Sequence, residues 1–316
     1  MRSALKSEPM DRRSFLTSSL ISTGALPLLR AGAQIPKRPY NNHINLSIIG
    51  FGGIVVMGME QDEANRTVAD AIERGINYFD VAPSYGDGEA EQKLGAALVP
   101  HRKNVFLACK CERRDAAGSR EQLESSLKRL QTDHFDLYQF HAVSSLEDVK
   151  DILAPNGALE TFVKARKDGK VRHLGFSAHN AEAAIALMDA FRFDSILFPV
   201  NYVNYAQGNF GPQILAKAKE KGVARLALKA MAHTTWKQGE AQTYPKCWYH
   251  PIDDPELAHK ALRFTLSEDI TAAIPPGDVR LYRIALDAAP DLKPLTAAER
   301  RELLAGAHGL EPIFRA

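Results

Sequence analysis

The chain of 316 residues is 45% hydrophobic and 25% charged, a composition with apolar material enough for a globular core. Its 40 basic against 38 acidic residues leave a net charge of +2, too small to select a polyanion, and no basic block interleaved with aromatics occurs, so nucleic acid is excluded as a partner. Three cysteines, Cys109, Cys111 and Cys247, cannot all pair within one chain and lack a second pair to complete a zinc site; all are read as free thiols, with no metal expected.

The first element is a leader. In MDRRSFLTSSLISTGALPLLRAGAQ, Arg12 and Arg13 precede Phe15 and Leu16, an apolar run reaches Leu29, and Ala31-Gly32-Ala33 ends it. This is the charged, apolar and cleavable layout of a secretion signal, and its Arg-Arg-x-Phe-Leu order resembles a twin-arginine signal. The run is too short and too rich in Ser, Thr and Gly to form a stable membrane span. Residues 1–33 are therefore expected to engage the twin-arginine export machinery and place the protein in the periplasm or another extracytoplasmic space. Residues 34–45 are a lead-in, and residues 46–316 form one domain ending in a short helix.

Beyond residue 40, short apolar runs alternate with longer amphipathic ones. The runs are LSIIGFGG (46–53), NYFDVA (77–82), VFLACK (105–110), FDLYQFH (135–141), HLGFSA (173–178), SILFPVN (195–201), RLALKAM (225–231) and TAAIPP (271–276). Each has strand length, is apolar, and precedes a polar turn and a helical pattern. Ser119 and Gln122 read as a capping box ahead of a helix whose Leu123, Leu127 and Leu130 recur at i, i+4, i+7. Thr296 and Glu299 read as a second box. Eight strands alternating with helices predict a (β/α)8 barrel.

In such a barrel the C-terminal ends of the strands carry the chemistry. Asp80 and Tyr85 follow the second run, Lys110 ends the third and His141 the fourth, then Ser177, Asn201, Lys229 and Gly277 fall at later strand ends. Singly each has a plain structural explanation: Asp80 as a turn cap, Tyr85 as a rim aromatic, His141 as a core histidine. Together, four ionisable groups on three successive strand ends point to a site. A phenol with an ordinary pKa near 10 is a poor acid at neutral pH, and the ammonium of Lys110 is expected to lower it. A lowering of about two units corresponds to ~2.7 kcal/mol. Asp80 would hold Lys110 in place, His141 would orient a carbonyl oxygen that Tyr85 protonates, and a nicotinamide would deliver hydride to the carbon.

These residues lie in motifs that resemble the aldo-keto reductase family. Its Asp-x-Ala-x-x-Tyr-Gly signature is present as DVAPSYG, its strand-end lysine as Lys110, its Ser-Leu-x-Arg-Leu helix and Asp-Leu-Tyr-x-x-His strand as SLKRLQTDHFDLYQFH, and its Gly-Lys-x-Arg-x-x-Gly-x-Ser signature as GKVRHLGFS. The resemblance implies a (β/α)8 barrel, NADP(H), a carbonyl or alcohol substrate, and a catalytic tetrad of Asp80, Tyr85, Lys110 and His141. The cofactor side departs from the pattern. Ser177-Ala178 replaces Ser-Asn, Asn201 replaces a glutamine, Leu228-Lys229 replaces Tyr-Ser, and Gly277 replaces a lysine, while Arg283 falls where an arginine often meets the 2′-phosphate. The resemblance thus implies NADP(H) held by Ser177, Asn201, Lys229, Gly277 and Arg283, with NAD(H) as the alternative; the altered pocket leaves a nucleotide- or ligand-binding barrel without turnover as the rival function. The long insertion AHTTWKQGEAQTYPKCWYHPID supplies Trp236, Trp248 and Tyr249, whose rings suit a sugar or an aromatic carbonyl, or else pin the loop to the barrel.

Overall fold

The computed structural model describes residues 34–316; the export signal read at 1–33 lies outside the described residues. The chain enters through an antiparallel hairpin, β1 (Lys37–Pro39) and β2 (Asn45–Ser47). Then β3 (Phe51–Gly52), β4 (Tyr78–Asp80), β5 (Phe106–Cys111), β6 (Phe135–Val143), β7 (Val171–Ala178), β8 (Ser195–Pro199) and β9 (Ala224–Leu228) form a parallel sheet. A small pair, β10 (Ala232–Thr234) and β11 (His250–Pro251), precedes β12 (Ala272–Ile274), which pairs with β9. A parallel bridge between Ile49 and Ala273 closes the eight-stranded ring. The (β/α)8 barrel expected from the sequence is present.

The helices α1 (Gln61–Glu73), α2 (Glu89–Leu98), α3 (Ala116–Arg129), α4 (Leu146–Leu153), α5 (Ala158–Lys167), α6 (Ala181–Ala190), α7 (Tyr202–Gln207), α8 (Pro212–Glu220), α9 (Pro255–Ser267), α10 (Val279–Ala288) and α11 (Ala297–Ala305) alternate with the strands and follow them. On α3 the predicted stripe of Leu123, Leu127 and Leu130 is buried. Its start is a correction: Asp115, not Ser119, caps it by accepting from Gly118 N, and Ser119 lies buried one turn inside. Gln122 accepts from Glu112 N instead of closing a box. The Thr296–Glu299 box on α11 forms as read. Among the described residues no helix is long and apolar enough to cross a membrane. All three cysteines are unpaired and buried.

Strand periodicity aims the site. Side chains alternate between the barrel interior and the helix layer. On β5, Phe106 and Ala108 belong to the interior cluster while Leu107, Cys109 and Cys111 pack outward, so Lys110 continues the inward row. Tyr78 sets the same row for Asp80 on β4, and Leu137 for Gln139 and His141 on β6. Tyr40 of the lead-in hairpin packs on Phe106 with ring centroids 5.1 Å apart and donates to Ser195 Oγ at 3.1 Å, filling the interior near the N-terminal ends of the strands. The first apolar run of the sequence is therefore split: its early residues pair in the hairpin, and its barrel strand is Phe51–Gly52.

Candidate active site

Asp80 and Lys110 are almost fully buried and form an ion pair. The remaining lone pairs of Asp80 are used as well: its Oδ2 accepts from Gln139 Nε2 at 2.8 Å and from Tyr78 Oη at 3.3 Å. Lys110 Nζ donates to Val81 O at 3.4 Å and to Tyr85 Oη at 3.3 Å. The turn that delivers Tyr85 is shaped by Gly86, whose φ of +62° would strain a larger residue. The ring of His141 stands nearly perpendicular to that of Tyr85, at 83° with centroids 5.9 Å apart. Just beyond it the backbone bulges, with Ala142 at φ 52° and the register against β7 shifted. Ser177 Oγ accepts from Ala142 N and Arg114 donates to His141 O, both at 2.7 Å, fixing this bend.

Burial and charge oppose each other here. Desolvation pulls the Lys110 ammonium toward neutrality, but Asp80 and Tyr85 outweigh it and hold its pKa well above the ordinary value. For Tyr85 the order is reversed: burial raises the phenol pKa more than Lys110 lowers it. The expected net lowering by Lys110 is thus corrected, because the same burial that brings the ammonium close removes the water that would stabilise a phenolate. Burial and the charge of Lys110 lower the pKa of His141 against the pull of Glu112, whose Oε1 lies 3.5 Å from Nδ1. The imidazole is neutral at neutral pH, and at that separation the contact does not fix its tautomer.

Asp80 and Tyr85 open on a cavity of about 70 Å³ that is also lined by Leu228, Lys229, Lys246, Tyr249 and Gly277; Lys110 and His141 stand behind that lining. The long insertion crosses the barrel mouth as a strap based on the β10–β11 pair. Lys246 donates to the carbonyls of Ile54 and Val55 at 3.3 and 3.1 Å, and Arg280 stacks on Tyr244 and donates to Thr243 O at 3.1 Å. Beside the strap lies the C-terminal tail, with Phe314 against Trp248 and Ala316 N donating to Gly208 O at 2.9 Å.

Residues 48–275 match the model of the aldo/keto reductase family. The chain belongs to that family. Its chemistry is the interconversion of a carbonyl and an alcohol by an oxidoreductase that uses a nicotinamide cofactor. The chain is 24% identical over 302 residues to an uncharacterised oxidoreductase of Bacillus subtilis, covering 86% of this chain and 96% of that one. Its fold is similar to an aldo-keto reductase of Bacillus halodurans in the holo form, with a TM-score of 0.69, 23% identity, and coverage of 89% and 99%. It is also similar to an aldo-keto reductase of Klebsiella pneumoniae solved with NADPH, with a TM-score of 0.66, 19% identity, and coverage of 89% and 98%.

The reductase brings Asp80, Tyr85, Lys110 and His141 together, and it treats the expected cofactor residues unequally. Lys229 and Gly277 line the cavity; at Gly277 a Cβ would lie 2.3 Å from Ile54 Cγ2, so only glycine allows that approach. Ser177 braces the bulge after His141. Asn201 is fully buried, caps α7 by accepting from Asn204 N, and donates to Lys229 O at 3.3 Å, so both ends of its amide are engaged. Arg283 is exposed on the second turn of α10, outside the cavity lining. Of the strap aromatics, Tyr249 lines the cavity, Trp248 is about half exposed at its edge, and Trp236 pins the strap by donating to Cys247 O at 2.8 Å. Gln139, Glu112 and Arg114 are site residues that the sequence reading missed. Gln139 had a signal, since it stands two before His141 on the inward row; the others come from turns whose direction no periodicity sets.

Proposed function

We propose that this reductase exchanges hydride between NADP(H) and a small carbonyl or alcohol, with Tyr85 as proton donor and acceptor. The observation that carries this reading is the buried Lys110, locked by Asp80, with Nζ 3.3 Å from the hydroxyl of a tyrosine that faces the cavity. The donor set suits an anionic dinucleotide: Lys246 lines the cavity, and the carboxylate there, Asp80, is already paired. Such a cofactor supplies hydride when bound. NADPH in the Klebsiella neighbour supports the phosphorylated form, and the exposed guanidinium of Arg283 is available to a 2′-phosphate.

In the reductive direction the neutral phenol of Tyr85 gives its proton to the carbonyl oxygen, and Lys110 stabilises the phenolate left behind. His141 fixes the orientation of that oxygen. In the oxidative direction Tyr85 must first be deprotonated. Because its pKa lies above the ordinary 10, reduction should keep the same rate across neutral pH and fall only in the alkaline range, while alcohol oxidation should climb with pH. Measuring kcat/KM in both directions against pH checks this; reduction that accelerates between about pH 7 and 9 would contradict it.

The Arg12-Arg13 leader supports export of the folded protein to an extracytoplasmic space, where free nicotinamide nucleotides are scarce. The reductase then carries its cofactor out and recycles it, oxidising one alcohol while reducing another carbonyl. Denaturing the purified exported protein and weighing the released small molecules by mass spectrometry should yield NADP(H) at near one per chain. Recovery of an empty protein would count against retention.

A further inference from the structure

Lys229 is held in an unfavourable backbone conformation. Its φ of 65° places a lysine in the left-handed region, a strained conformation that persists only where surroundings impose it. Those surroundings are explicit: Ala232 N donates to Lys229 O at 3.0 Å and Asn201 Nδ2 at 3.3 Å. The bend aims the side chain into the cavity that Asp80 and Tyr85 also line. There its Nζ sits over the rings of Tyr249 and Trp248, 4.7 and 5.2 Å from their centroids. Among the described residues no carboxylate lies within ion-pair distance of this Nζ and no acceptor takes a hydrogen bond from it, whereas Lys110 has Asp80 and Lys246 has two carbonyls. Beside it stands His179, stacked on Phe314 with centroids 4.8 Å apart; its ring, too, has no hydrogen-bond partner among the described residues.

Lys229 is only partly exposed, and its ammonium is held against aromatic faces rather than by a counter-ion. The charge of Lys229 is near enough to oppose that of Lys110, and burial with this repulsion lowers its pKa to about 8. An anion paired with this Nζ would lie in the cavity that Asp80 and Tyr85 also line, near the reacting centre rather than out at the barrel rim. We propose that Lys229 is a substrate-binding residue that pairs with a carboxylate carried by the carbonyl substrate, making the preferred substrates short oxo acids rather than neutral aldehydes. The inference rests on the reductase reading above. It places Lys229 on the substrate, although a cofactor phosphate has the same anionic chemistry, and the test separates the two.

With NADPH and the purified full-length protein, two matched pairs are compared: 4-oxobutanoate with butanal, and glyoxylate with acetaldehyde. The wild type should favour the acid of at least one pair by about tenfold or more in kcat/KM. K229G removes the amine and suits the positive φ, so it should fold at least as stably as the wild type. It should lose most of the acid preference, and lose it through KM for the acid, while K229R should keep part of the preference. Equal rates for acid and aldehyde in both pairs would overturn the proposal. So would a K229G protein whose NADPH affinity falls while its acid preference stays, which would assign the anion to the cofactor. Calorimetry with succinate needs no turnover: binding to the wild type and at least fivefold weaker binding to K229G supports the anion site, and equal binding overturns it. Failure to reduce any of the four carbonyls would instead count against the reductase reading.

Discussion

Tyr85→Phe is expected to lower kcat by about 10²–10⁴-fold, or ~3–5 kcal/mol of transition-state stabilisation, with little change in NADPH affinity. The substitution deletes one oxygen and keeps the ring that stands against His141. It removes the acceptor from one of the three contacts made by Lys110 Nζ, while the pair with Asp80 and the bond to Val81 O remain. Binding and fold should therefore survive where proton transfer does not. Steady-state rates and a fluorescence titration with NADPH decide the matter. A variant that keeps a tenth or more of the wild-type rate would remove Tyr85 from the chemistry. A wild type that binds nucleotide without turnover on any carbonyl would favour the ligand-binding barrel instead.

Lys110→Met is expected to abolish turnover and also to destabilise the barrel by ~3–5 kcal/mol, because the Asp80 carboxylate would remain buried without its cation. For a chain of this size the midpoint of thermal unfolding should fall by roughly 10 °C. Adding Asp80→Asn removes the orphaned charge, and the double variant should recover much of the lost stability while activity stays lost. This split distinguishes a pair kept for chemistry from one kept for folding: stability depends on the charge balance of the two residues, and catalysis on the ammonium next to Tyr85. Denaturant unfolding and initial rates on the two single variants and the double variant test it. Full activity in Lys110→Met would contradict the assignment.

The fold and three members of the tetrad, Asp80, Lys110 and His141, were legible because they are written in strand periodicity, whereas Tyr85, in the turn after β4, was legible from the DVAPSYG motif. Phe106, Ala108 and Lys110 alternate with Leu107, Cys109 and Cys111, so a reader who identifies a barrel strand also knows which residues face its axis. The helix start at Asp115 was missed because Ser119 and Gln122 offer the same residue types one turn later, and only the path of the chain from β5 selects the earlier cap. The strap is further from reach. Its paired strands are two and three residues long, too short for an alternating pattern, and its position is set by the side chains of Lys246, Tyr244 and Trp236. The pKa of Tyr85 went the other way from expectation for a related reason: the proximity of Lys110 can be inferred from sequence, but the depth of burial that opposes it cannot.

The most direct test of hydride exchange through this tetrad follows the hydrogen itself. The purified full-length protein is incubated with an oxo acid and NADPH carrying deuterium in both positions at the reactive nicotinamide carbon, and the alcohol product is weighed. One deuterium on the carbinol carbon with the wild type, and none with Tyr85→Phe on the same timescale, is the predicted result. Deuterium transfer that is undiminished in Tyr85→Phe, or no transfer by a wild type shown to bind NADPH and the oxo acid, would contradict it.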